Sequence, residues 1–188
     1  MTGVRRRLSR AGHERVAALP ENRLSSLPPV VRADTQLLIL GSFPGAASLR
    51  AQQYYAHPRN QFWPIMGALL GLPLPERPYP ERIGSLLDHH IGLWDVYASC
   101  RREGSLDTAI RDAVPNDLAS LLARAPGLRL VVHNGAESAR RMREIEALGI
   151  PALRLPSTSP ANASLDLDAK LAVWRKALDR AGVLPGRS

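Results

Sequence analysis

Gln36-Leu37-Leu38-Ile39-Leu40-Gly41 runs directly into Ser42-Phe43-Pro44-Gly45. A short aliphatic run closed by a glycine and proline turn has the length of a strand and no polar face. A strand apolar on both sides belongs inside a parallel sheet covered on both faces. Ile91 to Ala98, Leu128 to Val132 and Ala152 to Leu155 have the same character. Helical patterns lie between these runs, at Phe62 to Leu70, Ile83 to His89, Leu118 to Arg124 and Ala136 to Leu148, and Leu167 to Ala181 ends the fold. Strands alternating with helices predict an α/β layered domain built on a parallel sheet. Pro73, Pro75, Pro78 and Pro80 read as a stiff surface connection, not a domain boundary.

The 188 residues suit one domain plus a tail. Residues 1 to about 25, with Arg5, Arg6, Arg7, Arg10 and Arg15, read as a flexible basic extension, and residues 26–184 as the folded unit. No apolar run reaches the roughly 18–20 residues of a membrane span. The basic start lacks the apolar stretch of a signal peptide, so the expected location is cytoplasmic. Cys100 is the only cysteine, which excludes an internal disulfide and leaves a structural zinc without its usual thiolates. It follows an apolar stretch and reads as core. The net charge of +8 is carried almost wholly by arginine, with Lys170 and Lys176 the only lysines. Such charge suits a phosphate backbone, although an arginine bias alone does not decide the partner.

In an open parallel sheet, ligands bind beyond the carboxyl ends of the strands. Those ends carry Ser42 to Gly45, Asp95 to Ser99, His133-Asn134-Gly135 and Pro156 to Pro160. Beside them stands Gln53-Tyr54-Tyr55-Ala56-His57-Pro58-Arg59-Asn60-Gln61-Phe62-Trp63. A strand end, a glycine turn, paired aromatics and a polar cluster together point to a pocket for a flat ligand. Phe62 and Trp63 begin an amphipathic helix and read as core, and Asn60 is placed to cap it. His57 is either held by backbone or a catalytic base. His89 and His90 fall at a helix end, where a cation is favoured anyway.

The pattern Gly41-Ser42-Phe43-Pro44-Gly45, then Tyr54-Tyr55-Ala56-His57-Pro58-Arg59-Asn60-Gln61-Phe62-Trp63, resembles the hypoxanthine-DNA glycosylase (DNA-deoxyinosine glycosylase) branch of the uracil-DNA glycosylase superfamily. It is also similar to the mismatch-specific uracil/thymine glycosylases. Gly92 to Val96 through Arg101 to Asp107, His133-Asn134-Gly135 and Ser157 to Asn162 extend the likeness over about residues 28 to 182. The resemblance implies a three-layer α/β/α sandwich with a central four-stranded, mainly parallel sheet. It also implies a DNA glycosylase that needs no cofactor or metal, works on DNA containing a deaminated base, and acts as a monomer.

Two positions depart from the wider family. Phe43 stands where mismatch-specific members carry a water-activating Asn, and Ser157 stands where the uracil-excising enzymes carry His. The resemblance therefore implies Asn60 as the catalytic asparagine, with His57 and Ser157 as further catalytic candidates. Tyr55 would stack on the flipped base, and Asn134 would read its edge with Gly41, Ser42 and Phe43 around it. Asp95 would either read the base or hold a loop. Ser159, Pro160, Ala161 and Asn162 would touch the DNA strand, Ser157, Thr158 and Ser159 would offer hydroxyls and N–H groups to phosphates, and Ala161 is short for a side chain that must wedge into a duplex. No lysine is expected near these motifs, which suits a monofunctional enzyme that leaves an abasic site. The alternatives are a mismatch-specific uracil/thymine glycosylase, a catalytically silent DNA-binding relative and, more distantly, a nucleoside or ester hydrolase.

Overall fold

The period-two alternation of Leu37 to Leu40 is what divides the core. The computed structural model describes residues 23–162 and 165–184. In chain order its strands are β1 (Leu24–Ser25), β2 (Leu37–Gly41), β3 (Ile91–Asp95), β4 (Tyr97–Arg101), β5 (Arg111–Pro115), β6 (Leu130–Asn134) and β7 (Ala152–Leu155). The helices are α1 (Ala46–Ala51), α2 (Phe62–Leu70), α3 (Tyr79–Asp88), α4 (Leu118–Arg124), α5 (Ala136–Ala139), α6 (Met142–Ala147) and α7 (Leu167–Ala181). β2, β3, β6 and β7 form a four-stranded parallel sheet in the order β3-β2-β6-β7. Leu37 and Ile39 point to one side and meet Phe62, Ile65 and Met66 of α2, Leu86 of α3 and Trp174 and Leu178 of α7. Leu38 and Leu40 point to the other side and meet Leu118 and Leu121 of α4 and Ile145 of α6. This is the expected three-layer arrangement, with Cys100 buried in the second core.

Local chemistry sets the helix limits. Asp166 accepts from the Ala169 N–H at 2.8 Å to cap α7, which Gly182 ends in a left-handed turn, and Asp117 caps α4 through the Ser120 N–H at 2.9 Å.

Three expectations are corrected. The run Ile91 to Ala98 is not one strand: β3 ends at Asp95, and β4 joins β1 and β5 in a separate antiparallel sheet. An apolar run reports burial and carries no mark of which sheet buries it. The helix expected over Ala136 to Leu148 is broken into α5 and α6. Just before the break, the buried Ser138 hydroxyl donates to Leu40 O and meets His133 Nδ1, each at 2.8 Å, so a tertiary contact competes with helical continuation. Finally, the end of the supposed extension is ordered. Leu24 and Ser25 pair with Cys100 and Ser99, and Arg23 donates to the Ser99 hydroxyl. The rest of that extension, residues 1–22, lies outside the described residues.

The sheet register positions the site. Gly41 lies beside Asp95, and Asn134 beside Leu155, so the carboxyl ends of all four strands finish on one line.

Candidate active site

A cleft of about 850 Å³ opens above that line. Gly41, Asp95 and Asn134 contribute from the strand ends, and Ser42 to Gly45, Tyr54, Tyr55, His57 and Asn60 from the β2–α2 connection. Ser105 to Thr108, Arg154 to Asn162 and Leu165 also line it. All thirteen candidates from the sequence fall on this one cleft: Gly41, Ser42, Phe43, Tyr55, His57, Asn60, Asp95, Asn134, Ser157, Ser159, Pro160, Ala161 and Asn162.

Asp95 is 3 % exposed and accepts from the Ser26 hydroxyl at 3.0 Å. Burial pushes its carboxyl up to about 7, against the Ser26 hydrogen bond; Asp107 adds to the rise and Arg102 opposes it. A buried carboxyl near neutrality can donate or accept a proton at working pH, which suits chemistry on a base. Gly41 is required by this neighbour, because a Cβ there would run into the Asp95 carboxylate and lie 3.6 Å from the Tyr55 hydroxyl.

Tyr54 and Tyr55 part company at a left-handed backbone turn, with Tyr55 at φ 56°. Such a conformation is costly for a bulky residue and is held here by its surroundings. Tyr54 points inward, 4 % exposed, and its hydroxyl donates to Leu27 O and Pro28 O. The Tyr55 ring lies on Phe62, centroids 3.9 Å apart and planes 19° apart, so one face is left for a ligand in the cleft. Burial and the Asp95 charge raise the Tyr55 pKa, while Asn134 pulls it down. The hydroxyl therefore stays protonated.

The N-cap of α2 is Gln61, not the expected Asn60, whose Oδ1 instead accepts from the Phe62 N–H at 3.0 Å in the turn before the helix. An amide has two N–H donors and two lone pairs, so both donors and one lone pair remain for the cleft. His57 Nδ1 accepts from the Arg59 N–H at 3.2 Å, and His57 O accepts from the Asn60 N–H at 2.8 Å. The histidine thus shapes the loop that carries Asn60. Asn134 is tied at both ends to Thr158, accepting from its N–H and donating to its hydroxyl, each at 2.9 Å. Its other N–H is directed at the Tyr55 hydroxyl, so one lone pair of Asn134 is left. Thr158 is fully buried, so its hydroxyl and N–H serve this clamp and not the phosphates for which they were expected. Gly135, at φ 108°, has Ser157 Cβ 3.0 Å from where its own Cβ would stand, which draws the β6 and β7 loops together.

In the β7 loop the Ser157 hydroxyl accepts from the Ser159 N–H at 3.2 Å, and the Ser159 hydroxyl from the Ala161 N–H at 3.3 Å. These bonds hold a tight turn with Pro160 and Ala161 exposed at the cleft mouth. Phe43 is buried, and Arg102 lies over its ring at 5.1 Å while donating to Pro44 O. No group of three or more potential metal ligands occurs among the described residues.

The profile of the uracil DNA glycosylase superfamily matches residues 28–179. The chain belongs to the uracil DNA glycosylase superfamily. Among curated relatives, it is 40 % identical over 153 residues to a hypoxanthine DNA glycosylase of Methanosarcina barkeri, covering 81 % of this chain and 96 % of the relative. It is 39 % identical over 135 residues to a hypoxanthine DNA glycosylase of Methanosarcina acetivorans, covering 72 % and 85 %. Among solved structures, it resembles the solution NMR structure of a uracil DNA glycosylase candidate from Methanosarcina acetivorans. The TM-score is 0.74 and the identity 36 %, over 84 % of this chain and 99 % of that one.

Sequence reasoning missed four residues that line or brace this glycosylase-family cleft. Ser26, the first residue of the expected folded unit, carried no expected role, yet it holds Asp95. Arg102 and Asp107 lay in a quoted motif without a role. Asp107 accepts from the Ser42 hydroxyl at 2.6 Å. Lys170 is the largest correction, since no lysine was expected near the motifs. It is 1 % exposed, and its ammonium donates to Gln61 Oε1 and Asn162 O, each at 2.8 Å. Burial holds its pKa below the usual lysine value. A signal existed: Lys170 shares the buried stripe of α7 with Trp174, Ala177, Leu178 and Ala181.

Proposed function

We propose that the protein hydrolyses the N-glycosidic bond of deaminated nucleotides in DNA, with hypoxanthine as the preferred base, and leaves an abasic site. One observation carries the reading: a chain about 40 % identical to hypoxanthine DNA glycosylases gathers Tyr55, Asn60, Asp95 and Asn134 on a single cleft. A base inside a duplex is out of reach, so it must be flipped into such a cleft at a cost of a few kcal/mol. Stacking on the free face of Tyr55 offsets about 1–3 kcal/mol of that. The remaining lone pair of the Asn134 amide and the Asp95 carboxyl meet the base edge, where hypoxanthine offers acceptors at O6 and N7 and a donor at N1. Asn60 positions the water that adds to C1′ while the base leaves with the bonding electrons and takes up a proton. Since an amide is a weak base, the bond is largely broken before water attacks, and preorganised donors to the leaving base supply most of the acceleration.

His57 shapes the Asn60 loop, Ser157 sits beside the Asn134–Thr158 clamp, and Gly41, Ser42 and Phe43 form the wall behind the base. The turn Ser159 to Asn162 faces the DNA strand, with Arg154 at the mouth as a phosphate partner. Lys170 does not line the cleft and its ammonium is already engaged, which keeps the reading monofunctional. The activity resides in the unit of about residues 26–184, which acts as a cytoplasmic monomer. No helix among the described residues is long and apolar enough to cross a membrane.

The test incubates the purified chain, without added metal, with duplexes carrying one deoxyinosine, one deoxyuridine or no lesion, and reveals abasic sites with alkali. Cleavage at deoxyinosine that is lost in Asn60→Ala is the expected result. Cleavage at deoxyuridine alone would move the protein to the uracil/thymine reading, and salt-sensitive DNA binding without release would make it a silent relative.

A further inference from the structure

Leu106 is 57 % exposed, the most exposed of the large apolar side chains among the described residues, and it stands on the lining of the cleft. Scattered exposed leucines are ordinary. Leu106 differs in how it is held. On one side the Ser105 hydroxyl accepts from the Ala46 N–H at 2.9 Å, and on the other the Asp107 carboxylate accepts from the Ser42 hydroxyl at 2.6 Å. Gly104, at φ 70°, turns the chain into this segment, and the short helical turn Asp107–Ala109 leads it out. Beneath the loop, Arg102 lies over the Phe43 ring and donates to Pro44 O. Both neighbours of Leu106 are therefore pinned, Ser105 to the start of α1 and Asp107 to the loop after β2, and the side chain stays exposed on the cleft lining.

We infer that Leu106 enters the duplex in the place vacated by the flipped nucleotide. The inference rests on the glycosylase reading and adds the residue that makes a duplex usable. Removing one base from the stack exposes the apolar faces of its neighbours, and an inserted aliphatic side chain covers them and slows the base's return. The side chain must be apolar, long enough to enter the stack, rigidly presented, and beside the pocket that receives the base. Leu106 meets all four conditions. Ala161, on the opposite loop, offers only a methyl group, and Leu165, 39 % exposed and also on the lining, is the competing candidate.

The experiment compares the full chain with Leu106→Ala, Leu106→Met and Leu165→Ala. Single-turnover excision is measured on a deoxyinosine duplex and on the same strand alone. In parallel, a duplex with 2-aminopurine beside the lesion reports unstacking by fluorescence. Leu106→Ala is expected to slow excision from the duplex by about tenfold while changing the single-strand rate by less than about twofold. It should also abolish the fluorescence rise on binding, which Leu106→Met restores. Equal losses on both substrates, or no loss on either, would overturn the inference, as would a duplex-selective loss in Leu165→Ala. If the unmutated chain excises nothing, the glycosylase reading fails, and the fluorescence still decides. A rise that depends on Leu106 supports insertion, and no such rise refutes it.

Discussion

Replacing Lys170 by methionine keeps the length of a side chain buried in α7 and removes only its ammonium. That ammonium joins Gln61, next to Asn60, to Asn162 in the β7 loop through two hydrogen bonds of 2.8 Å. Hydrogen bonds to a charged group contribute about 1.5–3 kcal/mol each, and the acceptors left behind are costly to leave unpaired. Against this, the buried charge no longer has to be desolvated and methionine packs well. The net expected loss is about 2–4 kcal/mol, and in a chain of this size that lowers Tm by roughly 5–15 °C. The same bonds hold the Asn60 turn against the β7 loop, a contact repeated in the Gln61 N–H to Thr158 O bond of 2.9 Å. Excision should therefore fall in kcat more than in KM. Thermal unfolding and single-turnover excision, with the exposed Lys176→Met as control, check both expectations. A Lys170→Met protein that melts with the control and excises at the unmutated rate would refute the reasoning.

In the ionisation of Asp95, the folded chain holds the proton more tightly than the unfolded one, with a pKa of about 7 against 3.8, so the group's contribution to stability is lost as pH rises through that interval. Asp95→Asn should gain about 2–3 kcal/mol on the unmutated protein between about pH 5 and pH 8 in urea melts, and a constant gap would exclude the raised pKa. His133, held down to about 4 by burial, acts in the opposite sense, with stability falling as pH drops from 6.5 to 4, and cancels from this difference because both proteins carry it. Gly41→Ala forces the Asp95 carboxylate out of place and should slow excision by about tenfold or more while lowering stability by only about 1–2 kcal/mol; an unchanged rate would mean that Asp95 is not part of the site. Tyr54→Phe removes a hydroxyl that bonds Leu27 O and Pro28 O, and should cost about 1–2 kcal/mol by calorimetry with excision unaltered.

Local pattern was sufficient for much of this protein. The aliphatic run of β2, closed by Gly41, predicts a buried parallel strand because both faces are apolar, and the limits predicted for α2, α4, α7 and β7 match those observed. The motifs at the carboxyl ends pointed to one cleft because strand direction alone places them there. What pattern could not supply is the identity of neighbours. The same apolar run serves one sheet or two, so the division between β3 and β4 was decided only when β4 found β1 and β5. Ser26 with Asp95, Asn134 with Thr158 and Lys170 with Gln61 are partners far apart in the chain, brought together by the folding of the whole layer stack. Periodicity records whether a residue is buried, and the direction of a hydrogen bond depends on where another segment ends. Tertiary structure therefore decided that Asn134 acts as a clamp on Thr158, that Asp95 titrates near neutrality, and that a lysine stands behind the candidate catalytic loop.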